Sequence, residues 1–350
     1  ASQWHWKASS RTSATASMTI IPAQIRDCVT IQAPGSYIVN ADIGAHGNGA
    51  FCLNVTNTSD VSIDCEGHRI YSLHVISVVR FSMRQCLVEQ WTPADPGAAS
   101  FSGENLSELT IDRNEFAVGF VVKKVQGVIS NNQIGGPGIN VAGSTGLTIL
   151  GNLIEFHPQP GPYAVSAAGI YLTDGTGDRV SGNTIDGGWD GDISNRGSYG
   201  ADDGIVLARE DRAIVEDNVI RNSWDAGIES ASSVSNSIIR NNSIANTVIG
   251  LGGWSDNNHR NNVYSGNAVT RASSLVTFFY VKTPAAEFPC LFSGNQFLNN
   301  RLTGQVSRGN YTAQNAFEFP GTCTVENNTL QGNDYGGQPL FIDPAAGFNQ

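Results

Sequence analysis

The sequence predicts an all-β solenoid, and three observations predict it. A four-residue phrase built on Asn recurs along most of the chain. The residues around each copy form runs of three or four that alternate apolar and polar, too short for helices. A second signal, Gly followed by an apolar residue, recurs between the copies with a register of its own. Self-similarity at a period of a few tens of residues marks a repeat architecture, in which each unit buries its apolar face only against its neighbours.

The phrase is a small or polar residue, then Asn, then any residue, then an aliphatic residue or Phe. Its nine copies carry Asn114, Asn132, Asn152, Asn183, Asn218, Asn242, Asn267, Asn295 and Asn328, at intervals of 18 to 35 residues. Asn tolerates left-handed backbone geometry, and stacked Asn side chains bond one another. Asn132, Asn152, Asn183, Asn218, Asn242 and Asn267 are therefore expected to form a ladder at equivalent turns of successive coils. Flanking runs such as 147–150 (LTIL) and 213–216 (AIVE) supply the strands.

Two longer phrases sharpen this reading. Residues 33–39 (APGSYIV) followed by 61–70 (VSIDCEGHRI) resemble the opening coils of secreted right-handed parallel β-helix proteins, and 339–345 (PLFIDPA) resembles a closing phrase of the same group. Over about residues 28 to 345 the chain resembles this pectate-lyase-like superfamily. The resemblance implies a right-handed parallel β-helix of roughly a dozen coils. Its expected organisation is an N-terminal extension and cap over 1–27, the helix over 28–335, and a tail over 336–350 packed on the last coils. Such a fold hosts many functions, so activity has to be argued from a site.

The Gly–apolar signal places side chains. It occurs at Gly119-Phe120, Gly138-Ile139, Gly169-Ile170, Gly204-Ile205, Gly227-Ile228 and Gly250-Leu251. If the apolar members point inward on one parallel sheet, the next residues point outward. That outward column reads Val121, Asn140, Tyr171, Val206, Glu229, Gly252. Two residues on, a second column reads Lys123, Ala142, Thr173, Ala208, Ala231, Trp254.

From ladder Asn to the next Gly the gap is 5 residues after Asn114, 6 after Asn132, 9 after Asn218 and 8 after Asn242. It is 17 after Asn152 and 21 after Asn183. Two adjacent coils therefore carry insertions at one turn, within 153–168 and 186–202. Insertions gathered at one place on a solenoid wall a binding face.

Composition narrows the ligand. The chain has 350 residues, a net charge of −11 and only four lysines, Lys7, Lys123, Lys124 and Lys282. A nucleic-acid binder needs a basic face, so that class is disfavoured. A strongly anionic substrate would need a metal or a local Arg cluster. No apolar run approaches the ~18 residues of a membrane helix. The six cysteines show no CxxC spacing, which argues against zinc. Cys28–Cys52, Cys65–Cys86 and Cys290–Cys323 are 24, 21 and 33 residues apart, each near one coil, so each pair is expected to stack and bond. Disulfides fit export, and a removed secretory signal would explain a chain whose first Met is Met18.

Near the insertions lie Asp174, Asp186, Asp190, Asp192, Asp202, Asp203, Asp225 and Glu229, mixed with Tyr163, Tyr171, Trp189, Trp224 and Trp254. Aromatic faces beside carboxylates suit sugar rings. Glycoside hydrolysis needs two carboxyl groups across one bond, one of them protonated. Asp203, Asp225 and Glu229, with Asp202 beside them, come from adjacent coils and are the acid, base or nucleophile candidates. Tyr171, Trp189, Trp224, Trp254, Lys123 and Asp174 are the substrate-binding candidates. Against this stands the plain fact that β-helix turns collect Asp, Asn and Gly for conformational reasons alone. Two-carboxylate hydrolysis requires no cofactor. Asp186, Asp190 and Asp192, in a Gly-rich loop, are hard-oxygen candidates for calcium, though not at EF-hand spacing.

The expected function is a secreted enzyme that cleaves or transfers glycosidic bonds of a poly- or oligosaccharide. One alternative is a polysaccharide lyase or uronate epimerase, using a base and cation from Lys123, Tyr171, Arg209, Arg240, His259, Arg260 or Lys282. Another is a sugar-binding or adhesin module without catalysis. Of the motifs of polygalacturonases, which resemble this fold, only the pair Asp202-Asp203 is present, with no Gly-His-Gly or Arg-Ile-Lys after it. The Asp-Pro-His phrase of alginate epimerases is absent.

Overall fold

The computed structural model describes residues 21–44, 51–89, 99–156, 168–192, 200–254, 258–279, 290–306, 317–318, 323–337 and 348–349, with backbone alone for Trp254, Phe279, Glu318, Phe348 and Asn349. Most of the first insertion (157–167), part of the second (193–199), Tyr163 and Lys282 lie outside them. Among the described residues every element is a strand, and every pairing between strands is parallel. The chain is a right-handed parallel β-helix.

Each coil contributes a strand to the sheet that carries the Gly–apolar signal. The register is the expected one. Phe120 pairs with Ile139, Ile139 with Ile170, Ile170 with Ile205, Ile205 with Ile228 and Ile228 with Leu251. All six side chains are buried in a single core that runs the length of the solenoid. The outward column Val121, Asn140, Tyr171, Val206, Glu229, Gly252 follows from the same pairings and extends to Thr277.

The glycines of that signal have a packing reason. A Cβ on Gly204 would lie 2.3 Å from Cγ2 of Ile220, and one on Gly227 would lie 2.3 Å from Cγ2 of Ile244. Gly204 and Ile205 thus both face the core, one after the other, and the strand breaks its alternation there. The consequence reaches the surface. Ala226 and Ile249, paired at the position before the glycine, leave the main core and pack into a second apolar cluster outside it. Asp203 occupies that same position on its coil.

The Asn ladder also forms. Each Oδ1 accepts from both the backbone N–H and the side-chain amide of the Asn one coil earlier. Asn152 N and Nδ2 lie 2.9 and 3.0 Å from Asn183 Oδ1, and Asn183 N and Nδ2 lie 3.0 and 3.0 Å from Asn218 Oδ1. The residue before each Asn is left-handed, for example Gly151 (φ 63°), Gly182 (63°), Asp217 (55°) and Asn241 (55°), which is why it is small or polar. The same phrase also serves a second corner. After Asn267 the ladder runs to Asn300 and Asn333, while Asn295 and Asn328 belong to a second ladder that starts at Ser237 and Asn262. Both corners demand a left-handed residue followed by a buried amide, so both write the same phrase.

The three expected cysteine pairs are disulfide-bonded across adjacent coils, with Cα separations of 4.5, 4.8 and 4.6 Å. At the N-terminus, Ala23–Ile25 already pairs with Tyr37–Val39, so coiling begins inside the stretch read as a cap. At the other end Phe348–Asn349 pairs with Asn328–Thr329 of the last coils.

Candidate functional site

Three carboxylates converge on the outward face. Asp203 opens the strand Asp203–Ala208, and Glu229 sits in Ala226–Ser230 one coil further on, with Asp225 just before it. Asp203 is 6 % exposed and Glu229 8 %. The backbone N–H of Ala226 donates to Asp203 Oδ1 at 3.0 Å, and the Asp203 and Glu229 carboxyl groups are hydrogen-bonded to each other. Burial pushes the Asp203 carboxyl well above the ordinary carboxylate range, and the negative charges of Glu229 and Asp225 push it further. Two neighbouring carboxyls buried together favour keeping one proton between them.

Tyr171 stands on the same face, two coils before Glu229. Burial raises its hydroxyl pKa; Arg209 opposes this, and Glu229, Asp174 and Asp203 add to it. Arg209 is held by Asp174 (Nη2 to Oδ2 2.9 Å) and Thr173 Oγ1 (2.9 Å), so Asp174 acts as its anchor. The indole N–H of Trp224 donates to Asp202, and Asp225 N donates to Asp202 O at 2.8 Å. Of the candidates, then, Asp203, Asp225, Glu229, Tyr171 and Asp174 share one electrostatic neighbourhood, and Asp202 is tied to Trp224 at its edge.

Other candidates stand elsewhere. Trp189 is not a subsite: it is 2 % exposed, packs with Ala226, Val248, Ile249 and Trp224, and donates its indole N–H to Asp192 O at 3.0 Å. Trp189 N donates to Asn222 O on the next coil and Ala201 N to Gly187 O across the base of the insertion. Lys123 is four strands from Glu229 along the sheet, roughly 19 Å at ~4.8 Å per strand. The Trp254 backbone continues the second column, opposite Phe279.

Asp186 meets Arg221 Nε (2.8 Å), Asn222 Nδ2 (2.8 Å) and Gly188 N (3.0 Å), and Asp190 accepts from Asp192 N (2.8 Å). A guanidinium on Asp186 argues against a cation there. Among the described residues no three His, Cys, Asp or Glu side chains group as metal ligands. Of the bases for an elimination reaction, Arg240 pairs with Glu216 and Arg260 is on a different sheet. His259, a candidate base, is a correction: it lies in the strand Asn258–Arg260, fully buried against Phe278 and Phe292, and burial lowers its pKa to about 4.

The sequence reading missed a second buried acid pair, Asp178 and Glu210, at the far end of the same strands. Gly175 N donates to Glu210 Oε1 (2.9 Å), Leu147 N to Asp178 Oδ1 (2.9 Å), and the Ser144 hydroxyl to Asp178 Oδ2. A Cβ on Gly175 would sit 2.5 Å from Asp178 Oδ2 and 2.6 Å from Glu210 Oε1, so both carboxyls crowd one point. Burial, with the Asp178 charge behind it, pushes Glu210 up to about 8. Its only signal was two acids in successive polar turns, which also describes ordinary turn residues.

The family described as right-handed β-helix region matches residues 192–340. No curated protein matches the chain by sequence. Among solved structures, an endo-xylogalacturonan hydrolase from Aspergillus tubingensis is similar at 13% identity and a TM-score of 0.50, covering 91% of this chain and 86% of that one. The A-module of the Azotobacter vinelandii mannuronan C-5 epimerase AlgE6 is similar at 14% identity and 0.50, covering 92% and 89%.

Proposed function

Starting from a right-handed parallel β-helix of pectate-lyase-like fold, we propose that the chain is a carbohydrate-active enzyme that cleaves or transfers glycosidic bonds at Asp203, Glu229 and Asp225. The observation that carries this reading is the hydrogen-bonded carboxyl pair of Asp203 and Glu229, buried on the outward face with a third carboxylate beside it. The similar structures, a xylogalacturonan hydrolase and a mannuronan C-5 epimerase, support a polysaccharide as the partner. Three disulfides fit an oxidising, extracytoplasmic compartment.

In this reading Asp203 holds the proton and gives it to the glycosidic oxygen as the C–O bond breaks. Glu229 is the second carboxylate, acting on the anomeric carbon or on the water that attacks it. Retaining glycosidases hold these groups about 5–5.5 Å apart. A glycosidic oxygen that replaces Glu229 as acceptor of the Asp203 proton opens the pair toward that spacing. Asp225 keeps Asp203 protonated through its charge, and the half-buried rings of Tyr171 and Trp224 are the surfaces for sugar stacking. Elimination would need a base such as Tyr171 and a cation to neutralise the substrate carboxylate, and a Tyr171 hydroxyl raised by burial is a poorer base precursor at neutral pH.

The test is a panel of neutral and uronate polysaccharides incubated with the protein and with Asp203→Asn. New reducing ends without absorbance of an unsaturated product, lost in the variant, support hydrolysis. An unsaturated product, or turnover indifferent to Asp203→Asn, overturns it.

A further inference from the structure

Val234, His259, Phe292 and Val325 pair in register along one sheet, and His259 is the one basic member of that column. Its side chain is fully buried, with ring centroids 5.8 Å from Phe278 and 6.1 Å from Phe292. Neither ring nitrogen has a hydrogen-bond partner among the described residues. A buried polar group without a partner costs stability, and an apolar ring at this position would avoid that cost.

Nothing described around the imidazole would welcome a charge. The strands packed on it, Val234–Ser235, Leu291–Ser293 and Ser274–Phe279, carry no ionisable residue. Val263–Ser265 contributes Tyr264, whose buried hydroxyl lies 2.9 Å from Ser230 Oγ and is neutral in acid. Glu229, on Ala226–Ser230, faces outward, and Arg260 and Glu326 are exposed. The ring ordinarily titrates near 6.5, and burial lowers it to about 4. Between those values an opened coil binds a proton that the closed one refuses. Opening then gains about tenfold for each unit by which the pH falls.

Coils of a solenoid touch only their neighbours, so the structure can open from an end. His259 lies at such a joint. Beyond it come the coil of Phe292 and the coil of Val325, which the Cys290–Cys323 disulfide ties together. Phe317 of the second packs on Phe278, Phe292 and Phe297 of the first, at centroid distances of 6.1, 6.0 and 5.1 Å. These two coils hold each other by contacts that do not involve His259. We propose that they form one unit, which acid releases from the rest of the solenoid at the His259 joint. The coils of Asp203 and Glu229 lie on the other side of that joint and stay closed.

Hydrogen exchange read by mass spectrometry on the intact, oxidised protein at pH 7 and pH 4.5 tests this, each rate being referred to that of an unstructured chain at the same pH. Protection over 291–298 and 324–331 should fall about a hundredfold, while protection over 203–208 and 226–230 holds. In His259→Phe, and in the smaller His259→Leu, the C-terminal fall should vanish. The parent alone already decides: C-terminal coils that keep their protection at pH 4.5, or central coils that lose as much, overturn the release. An undiminished fall in either folded variant overturns the role of His259 in it.

Discussion

Asp203 and Glu229 reach each other from adjacent coils although their strand positions differ in phase. Val206, not Asp203, is the residue paired with Glu229. Asp203 reaches the outward face because Gly204 and Ile205 both turn to the core, which leaves the side chain before the glycine outside with Ala226 and Ile249. A packing requirement of the core, the lack of room for a Cβ against Ile220, thereby places a carboxyl beside the outward column.

Replacing Asp203 by Asn should raise stability toward alkaline pH while removing activity. The Asp203 pKa is raised by folding, so the stability linked to it is complete at low pH and falls as pH rises through the folded value. An amide removes that fall and keeps a donor for Glu229. Thermal unfolding at pH 5 and pH 8 should show a smaller drop for the variant than for the parent. An equal drop in both would show that the carboxyl pair holds no proton.

Glu210 sets a second alkaline limb. Its pKa rises from 4.5 to about 8 on folding, so its linked stability is whole below pH about 4.5 and is lost as pH climbs through 8. The loss is on the order of a few kcal/mol. Glu210→Gln should lose less of its denaturation midpoint between pH 6 and pH 9 than the parent does, with the Asp203 limb remaining in both. A parent whose denaturation midpoint is flat over that range would contradict the buried pair.

In the Asn ladder, Asn183→Leu strips the acceptor from both the backbone N–H and the side chain of Asn152. Leaving buried donors unpaired should cost about 1–3 kcal/mol. Urea unfolding of this variant reads that loss; a change below the error of the measurement would remove the ladder from the account of stability.

Trp189→Ala should behave as a core truncation. Loss of a buried Trp costs about 3–5 kcal/mol. The variant should melt early, and Trp189→Phe should recover most of the difference. A variant of unchanged stability with a raised KM would restore Trp189 as a sugar platform.

Much of the architecture was legible because the repeat is the coil. The Gly–apolar copies and the Asn copies each mark one position per turn of the solenoid, so the pairing of Tyr171 with Val206 and of Val206 with Glu229 could be counted before any coordinates. What could not be counted is where alternation breaks. Asp203 and Ile205 have the same parity, yet one faces out and the other in. Trp189 read as exposed because its loop is Gly- and Asp-rich, but its backbone is tied to Asn222 of the next coil and its ring packs with Trp224. Asn295 and Asn328 matched the phrase while sitting at another corner, since a left-handed residue before an amide is a local requirement and says nothing about which corner uses it. Asp178 and Glu210 carried no pattern at all; their proximity depends on the stacking of two turns above Gly175.

Turnover by Glu229→Gln on a glycan that the parent cleaves tests the central claim most directly. The amide is nearly isosteric, still hydrogen-bonds Asp203, and should leave the fold and its thermal midpoint in place. Acid–base or nucleophilic work at Glu229 predicts a fall in kcat of about 10²–10⁴ with that fold intact. An unchanged kcat in a folded Glu229→Gln protein would contradict the account.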